Sequence, residues 1–192
     1  AHWTVDNFTQ RYNAGKPAGA PTNTNVTNMP GNQTLTYDTA SKISTTAPRL
    51  DGYTFAGWKA TTAGTLANNG TVWTAGADIT KANVNQMYAD CGGKGKVYDV
   101  TAQWNINQYS VTAQAYGDIF SSSQFAANRG GKVKVGSAAQ GTSSTFKINY
   151  NSTTKITATA DTGYEFVGWY TSNENNFSGE PVSKSPTLDT SA

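Results

Sequence analysis

The sequence predicts a mainly β protein, α+β at most, made of two small repeat modules in tandem. Three observations lead there. The heptad Gly52-Tyr53-Thr54-Phe55-Ala56-Gly57-Trp58 returns 111 residues later as Gly163-Tyr164-Glu165-Phe166-Val167-Gly168-Trp169, with five of seven positions identical. Short runs that alternate apolar and polar residues, the period of a strand, recur along the chain. Helix is scarce: only Lys81 to Asp90 has the length for one, and Gly92-Gly93 stops it.

Taken in order, residues 1–25 lie ahead of the first repeat pattern and predict a preceding strand or a long first hairpin. Thr36-Tyr37 and Ile43-Ser44-Thr45 approach the first heptad, and Arg49-Leu50-Asp51-Gly52 supplies a turn that tolerates positive φ. Within the heptad Tyr53, Phe55 and Gly57 share one strand face, with Trp58 on the other if the strand is regular. A glycine directly before a tryptophan suggests a bulge that swings the indole inward. Asn69-Gly70, between Leu66 and Val72-Trp73, is a hairpin signal. Residues 80–96 read as an insertion before the closing strand. That strand, Val97 to Trp104, puts Tyr98, Val100, Ala102 and Trp104 on one face.

Asn105 to Gln108 form a polar connector, so the expected modules are 1–105 and 106–192. In the second module Tyr109–Ala113, Lys132–Val135 and Thr145–Tyr150 read as strands. Thr153 to Ala160 leads through Asp161-Thr162-Gly163 into the second heptad. The structural anchors expected of the two cores are Tyr53, Phe55, Gly57, Trp58 and Trp104, then Tyr164, Phe166, Gly168 and Trp169. The aromatics among them are expected to be mostly buried in two equivalent settings; a sugar-stacking platform is the other reading.

Composition bounds the function. Apolar residues are 36% of the chain and charged residues 14%, both low, yet aromatics reach 11%, which a disordered chain lacks. A net charge of +2, with basic residues paired only at Lys94/Lys96 and around Arg129, Lys132 and Lys134, argues against a nucleic-acid partner. No apolar run is long enough to insert in a membrane. The single cysteine, Cys91, excludes an internal disulfide. Thr/Asn-rich strands without disulfides fit an exported bacterial protein, and cytosolic residence fits as well.

The residues offer little chemistry, and the sequence predicts no enzyme, no catalytic residue, no cofactor and no metal. The only histidine is His2, so no nucleophile has an imidazole base held beside it. One Cys and one His cannot close a structural zinc site. Cys91-Gly92-Gly93-Lys94-Gly95-Lys96 lacks the spacing of a phosphate loop and reads as a solvated loop. An intramolecular Lys–Asn cross-link is chemically open, but no spacing marks a triad.

Asn28-Met29-Pro30, Thr36-Tyr37, Pro48-Arg49, the first heptad and Val100-Thr101-Ala102-Gln103-Trp104, in this order, resemble the internalin-type B repeat, or Listeria–Bacteroides repeat, over residues 26–104. The second module is similar to divergent bacterial repeats that share the Gly-Tyr-x-Phe-x-Gly-Trp heptad. The resemblance implies β-grasp-like modules crossed by a short helix or loop. It also implies a place outside the cell, on the bacterial surface or in the wall, without catalysis.

The expected function is a non-catalytic spacer repeat of a surface protein, whose partners are neighbouring repeats of the same chain. The alternative is an adhesive module that contacts a host protein or glycan through Trp73, Met87, Tyr88 and the run Tyr116-Gly117-Asp118-Ile119-Phe120. A third reading is an accessory module of an extracellular enzyme. Buried aromatics favour the spacer, and coplanar exposed ones favour adhesion. One further expectation concerns closure. The Trp58-to-Val97 spacing, less residues 80–96, carries from Trp169 to residue 191. The second module is therefore expected to lack its closing strand unless Ser183 to Thr190 substitutes, which leaves Tyr109–Ala113 with an open edge.

Overall fold

The structure, a computed structural model, describes residues 1–118, 125–171, 177 and 179–191. It divides into two units, Ala1–Ile106 and Asn107–Ala192.

Unit 1 contains β1 (Asn7–Asn13), β2 (Gln33–Thr36), β3 (Ser41–Lys42), β4 (Tyr53–Ala60), α1 (Thr65–Asn68), β5 (Val72–Trp73), β6 (Asp78–Ile79), α2 (Lys81–Cys91) and β7 (Val97–Ile106). Five strands form one mixed sheet in the order β2-β1-β7-β4-β5, and β3 pairs with β6 beside it. The stretch ahead of the repeat supplies β1, a central strand. β7 lies between β1 and β4. It runs parallel to β1, from Thr9 opposite Val97 to Asn13 opposite Thr101, and antiparallel to β4.

Alternation decides what these strands bury. Phe8, Gln10 and Tyr12 of β1 and Tyr98, Val100 and Ala102 of β7 all point into the core. Leu35, Ile43, Trp58, Trp73 and Ile79 complete it.

Three expectations change in unit 1. Residues 80–96 are not an insertion at one end: α2 sends Val84 and Met87 into the core, both fully buried. The Thr80 hydroxyl caps α2 by accepting from the Asn83 amide at 3.2 Å, and Gly92 ends it at φ 87°. Asn69-Gly70 does not turn a two-residue hairpin. Residues 65–68 wind into α1, and Gly70 (φ 67°) leads the chain out of that turn into β5. Asn105 and Ile106 are not a loose connector, because they continue β7 opposite Thr54 and Tyr53.

Unit 2 contains β8 (Gln108–Gln114), β9 (Tyr116–Asp118), β10 (Phe125–Ala127), β11 (Gly131–Val135), β12 (Ser143–Asn149), β13 (Thr153–Ala160) and β14 (Thr187–Ser191). Among the described residues these make three small antiparallel sheets: β12-β8, β10-β9 and β11-β13-β14. Ala113, Ala115, Val133, Val135, Ile156 and Trp169 form the core, with Phe146, Phe166 and Leu188 packed on it. These side chains are mostly smaller than those of unit 1, so less apolar area leaves water per residue.

β14 overlaps Ser183 to Thr190, the segment expected to substitute for a closing strand, but it pairs with β13 and not with β8. β8 therefore has one ladder partner among the described residues, β12.

Candidate functional site

The first heptad occupies β4, and its register slips between Phe55 and Gly57, leaving Ala56 as the extra residue. Gly57 sits at φ 137°, where a Cβ would meet Val72 Cγ1 at 2.7 Å and the Trp73 carbonyl oxygen at 2.9 Å. Only glycine lets β5 come this close. Phe55 lies opposite Trp104 and Trp58 opposite Ala102, two residues on the inward face of β7. Trp58 is 0% exposed, and its ring meets those of Phe55 at 5.1 Å and Tyr12 at 4.7 Å. Trp104 is half-buried and donates its indole N–H to the Ala14 carbonyl at 3.0 Å. Tyr53 and Phe55 are half-buried as well.

The second heptad is not a ladder strand among the described residues. Its one bridge joins Trp169 to Ser183. Trp169 is buried, and its indole N–H donates to the Ser185 carbonyl at 3.0 Å. Phe166 meets Trp169 at 5.3 Å and 60°, nearly the Phe55–Trp58 geometry. The expected equivalence fails at Tyr164. It is 37% exposed, with its hydroxyl 2.8 Å from Arg129 Nε, because no neighbouring strand covers it. Gly168 lets Pro181 approach; a Cβ there would meet the proline ring at 2.5 Å.

Polar side chains that the sequence did not mark hold unit 1 together. Asp99 on β7 accepts from Arg11 Nε and Nη2 at 2.6 and 2.9 Å and from Asn13 Nδ2 at 2.8 Å. Those bonds, the Arg11 pair foremost, hold its carboxyl below the usual carboxylate range. Asp90 of α2 accepts from the amides of Thr65 and Leu66 and from Gln86, tying α1 to α2. Asp6 accepts from the Tyr88 hydroxyl at 2.6 Å and from Lys94 at 3.0 Å. Strand register joins Arg11 to Asp99, so the signal exists only once β1 and β7 are known to be parallel. Among the described residues Gln10, the Trp58 indole N–H and the Tyr98 hydroxyl depart from this economy: all are buried without a hydrogen-bond partner, and Gln10 is fully buried with neither polar atom of its side chain paired.

The residues considered for ligand contact are differently placed. Trp73 and Met87 are buried, and Tyr88 packs against Phe8 and Tyr37. They are not an exposed cluster, because α2 and β5 turn them inward. Tyr116, Phe125 and Tyr170 each meet Phe177, at 5.3, 4.9 and 5.0 Å. The ring planes cross at 63°, 89° and 58°, so they make no flat platform. Ile119 and Phe120 lie outside the described residues. Among the described residues no three His, Cys, Asp or Glu side chains converge, and no helix is long and apolar enough to cross a membrane.

Unit 2 also holds a groove of about 1380 Å³. Its lining includes Val111 to Asp118, Val133, Ile156, Gly163 to Thr171 and Leu188.

Two small β units that share an anchoring heptad define a tandem-repeat protein, and the comparisons place it. Residues 22–90 match the Listeria-Bacteroides repeat domain, and residues 121–190 match the divergent InlB B-repeat domain. The chain is a Listeria-Bacteroides repeat followed by a divergent InlB B-repeat, domains typical of bacterial surface proteins. No curated protein and no solved structure matches it. The first match takes in β2 through most of α2, so the two central strands, β1 and β7, lie outside the matched residues.

Proposed function

We propose that the chain is a non-catalytic spacer of a bacterial cell-surface protein, built of β-grasp-like modules whose role is to hold other parts away from the cell. One observation carries this: in unit 1 most of the large apolar side chains are taken up by the fold, Trp3 (87% exposed) and Tyr37 (40%) being the aromatic exceptions. Trp58, Tyr98 and Met87 are fully buried and Trp73 nearly so, where an adhesive module would present such groups to a ligand. The mixed sheet with two central parallel strands supports the β-grasp reading. Family membership supports the location outside the cell.

The spacer reading is tested by display. A reporter epitope placed ahead of one, two or four copies of this chain on a bacterial surface should become more accessible to a bulky antibody with each copy. The isolated chain should show no saturable binding to glycan arrays or host-cell surfaces. Saturable binding lost on Tyr164→Ala or Tyr109→Ala would replace the spacer with an adhesive module.

A further inference from the structure

The strands that carry the two ends of unit 1 are neighbours. β1 is its first strand and β7 its last, and they lie side by side in the sheet, running parallel. The chain enters the sheet at Asn7 and leaves it at Ile106, where unit 2 follows. Register places Val97 beside Thr9, so Ile106 stands about 11 residues, or about 36 Å, further along the strand direction than Asn7. Across the sheet the two ends are one strand spacing apart, about 4.8 Å. The line from Asn7 to Ile106 therefore runs within about 10° of the strand axis. We infer that unit 1 is a mechanical clamp, in which tension along the chain shears β1 against β7 and the seam between them bears the load.

The direction of loading decides how a ladder fails. In shear every bond between two strands meets the force at once, so the strands part only when the bonds fail together. In peeling the same bonds fail one after another from an end. Pulling Asn7 backwards and Ile106 forwards slides two parallel neighbours in opposite directions, which is shear. Neither strand is free on its other side. β1 also pairs with β2, from Asn7 opposite Thr36 to Gln10 opposite Gln33, and β7 pairs with β4, from Ile106 opposite Tyr53 to Val100 opposite Ala60.

Side chains reinforce the same seam. Asp99 on β7 accepts from Arg11 and Asn13, both on β1. At one end the Gly95 amide donates to the Asn7 carbonyl at 2.8 Å, and at the other the Trp104 indole N–H donates to the Ala14 carbonyl at 3.0 Å. On the inner face Phe8, Gln10 and Tyr12 lie buried in the core with Tyr98, Val100 and Ala102. A slip by one residue would turn one strand's buried set towards water, so the seam cannot creep cheaply to a new register. The inference gives the proposed spacer a load to carry and rests on that reading for its setting; the clamp itself rests on topology.

The test pulls the whole chain in optical tweezers along two directions. Both variants carry Cys91→Ser and one handle at the amino terminus. The second handle is attached through Asn105→Cys or Lys96→Cys, both exposed positions, and unit 2 stays outside the loaded path in each. The handle at 105 loads the seam along the strands. The handle at 96, whose carbonyl accepts from the Thr9 amide near the start of β1, loads the seam crosswise and peels it. Unfolding should release about 300 Å of chain in both. At one loading rate the force along the strands should be about twofold higher or more, with a distance to the barrier of about one strand repeat, ~3 Å, against ~10 Å on peeling. That distance is read from the force dependence of the unfolding rate, which a general loss of stability in one variant does not mimic. Equal forces, or a barrier no nearer along the strands than across them, would overturn the clamp and leave the spacer standing. Saturable ligand binding would instead remove the spacer and change neither force.

Discussion

Phe55 and Trp58 stand three positions apart on one strand, an odd separation that should put them on opposite faces, yet their rings meet at 5.1 Å. The bulge at Ala56 shifts the alternation by one, so both residues lie opposite inward-facing residues of β7. Phe166 and Trp169 keep the same contact without a ladder around them. The heptad therefore carries its own local geometry, and the sheet is added to it.

Trp58→Ala should destabilise unit 1 by about 3–5 kcal/mol, because the cavity opens where no side chain can collapse from solvent. The measurement is the denaturant midpoint of the transition that reports on unit 1. A shift equivalent to less than about 1 kcal/mol would show that the indole is not the keystone of that core.

At Gly57 the cause is backbone. Gly57→Ala would push a Cβ into Val72 and the Trp73 carbonyl at a φ that side chains avoid. We expect a loss of about 1–3 kcal/mol and poorer pairing of β5 with β4. Unchanged stability, with the β4–β5 contact intact by nuclear Overhauser effects, would contradict the close approach.

Gln10→Met should go the other way. The carboxamide is buried without a partner, and a methionine of similar volume removes that desolvation cost. A rise of about 1 kcal/mol in unfolding free energy is expected. A fall would mean that the amide is satisfied in solution by a buried water.

Acid should find Asp99. Its native pKa lies below the unfolded value, so folding favours the ionised carboxylate. The stability this supplies is complete above the unfolded pKa of about 3.9 and is lost as pH falls through the lowered native value. The pair is partly exposed, so its share is under about 1 kcal/mol. Asp99→Asn should flatten the fall of melting temperature on the acid limb while costing little near neutrality. An acid limb as steep as the parent's would place the sensitivity elsewhere.

Legibility followed the range of the interactions. The bulge, α2 and its glycine stop, and the alternation of β7 are written in neighbouring residues, and the sequence shows them. The parallel pairing of β1 with β7 is not, since Thr9 and Val97 meet only through the whole module. The Arg11–Asp99 pair and the Asp90 cap were invisible for the same reason. α2 was misread as an insertion because its inward residues, Val84 and Met87, are too few to mark an apolar stripe among Asn, Gln and Lys. Tyr164 was misplaced because a shared heptad does not bring a shared neighbour.

The claim under all of this is that unit 1 holds its heptad in a strand paired on both sides and that unit 2, among the described residues, does not. Amide hydrogen exchange on the intact chain tests it most directly. The account predicts that amides of β4 and β7 exchange near the global limit, while those of residues 164–167 exchange orders of magnitude faster despite the matching sequence. Equal protection of the two heptads in the free chain would contradict it.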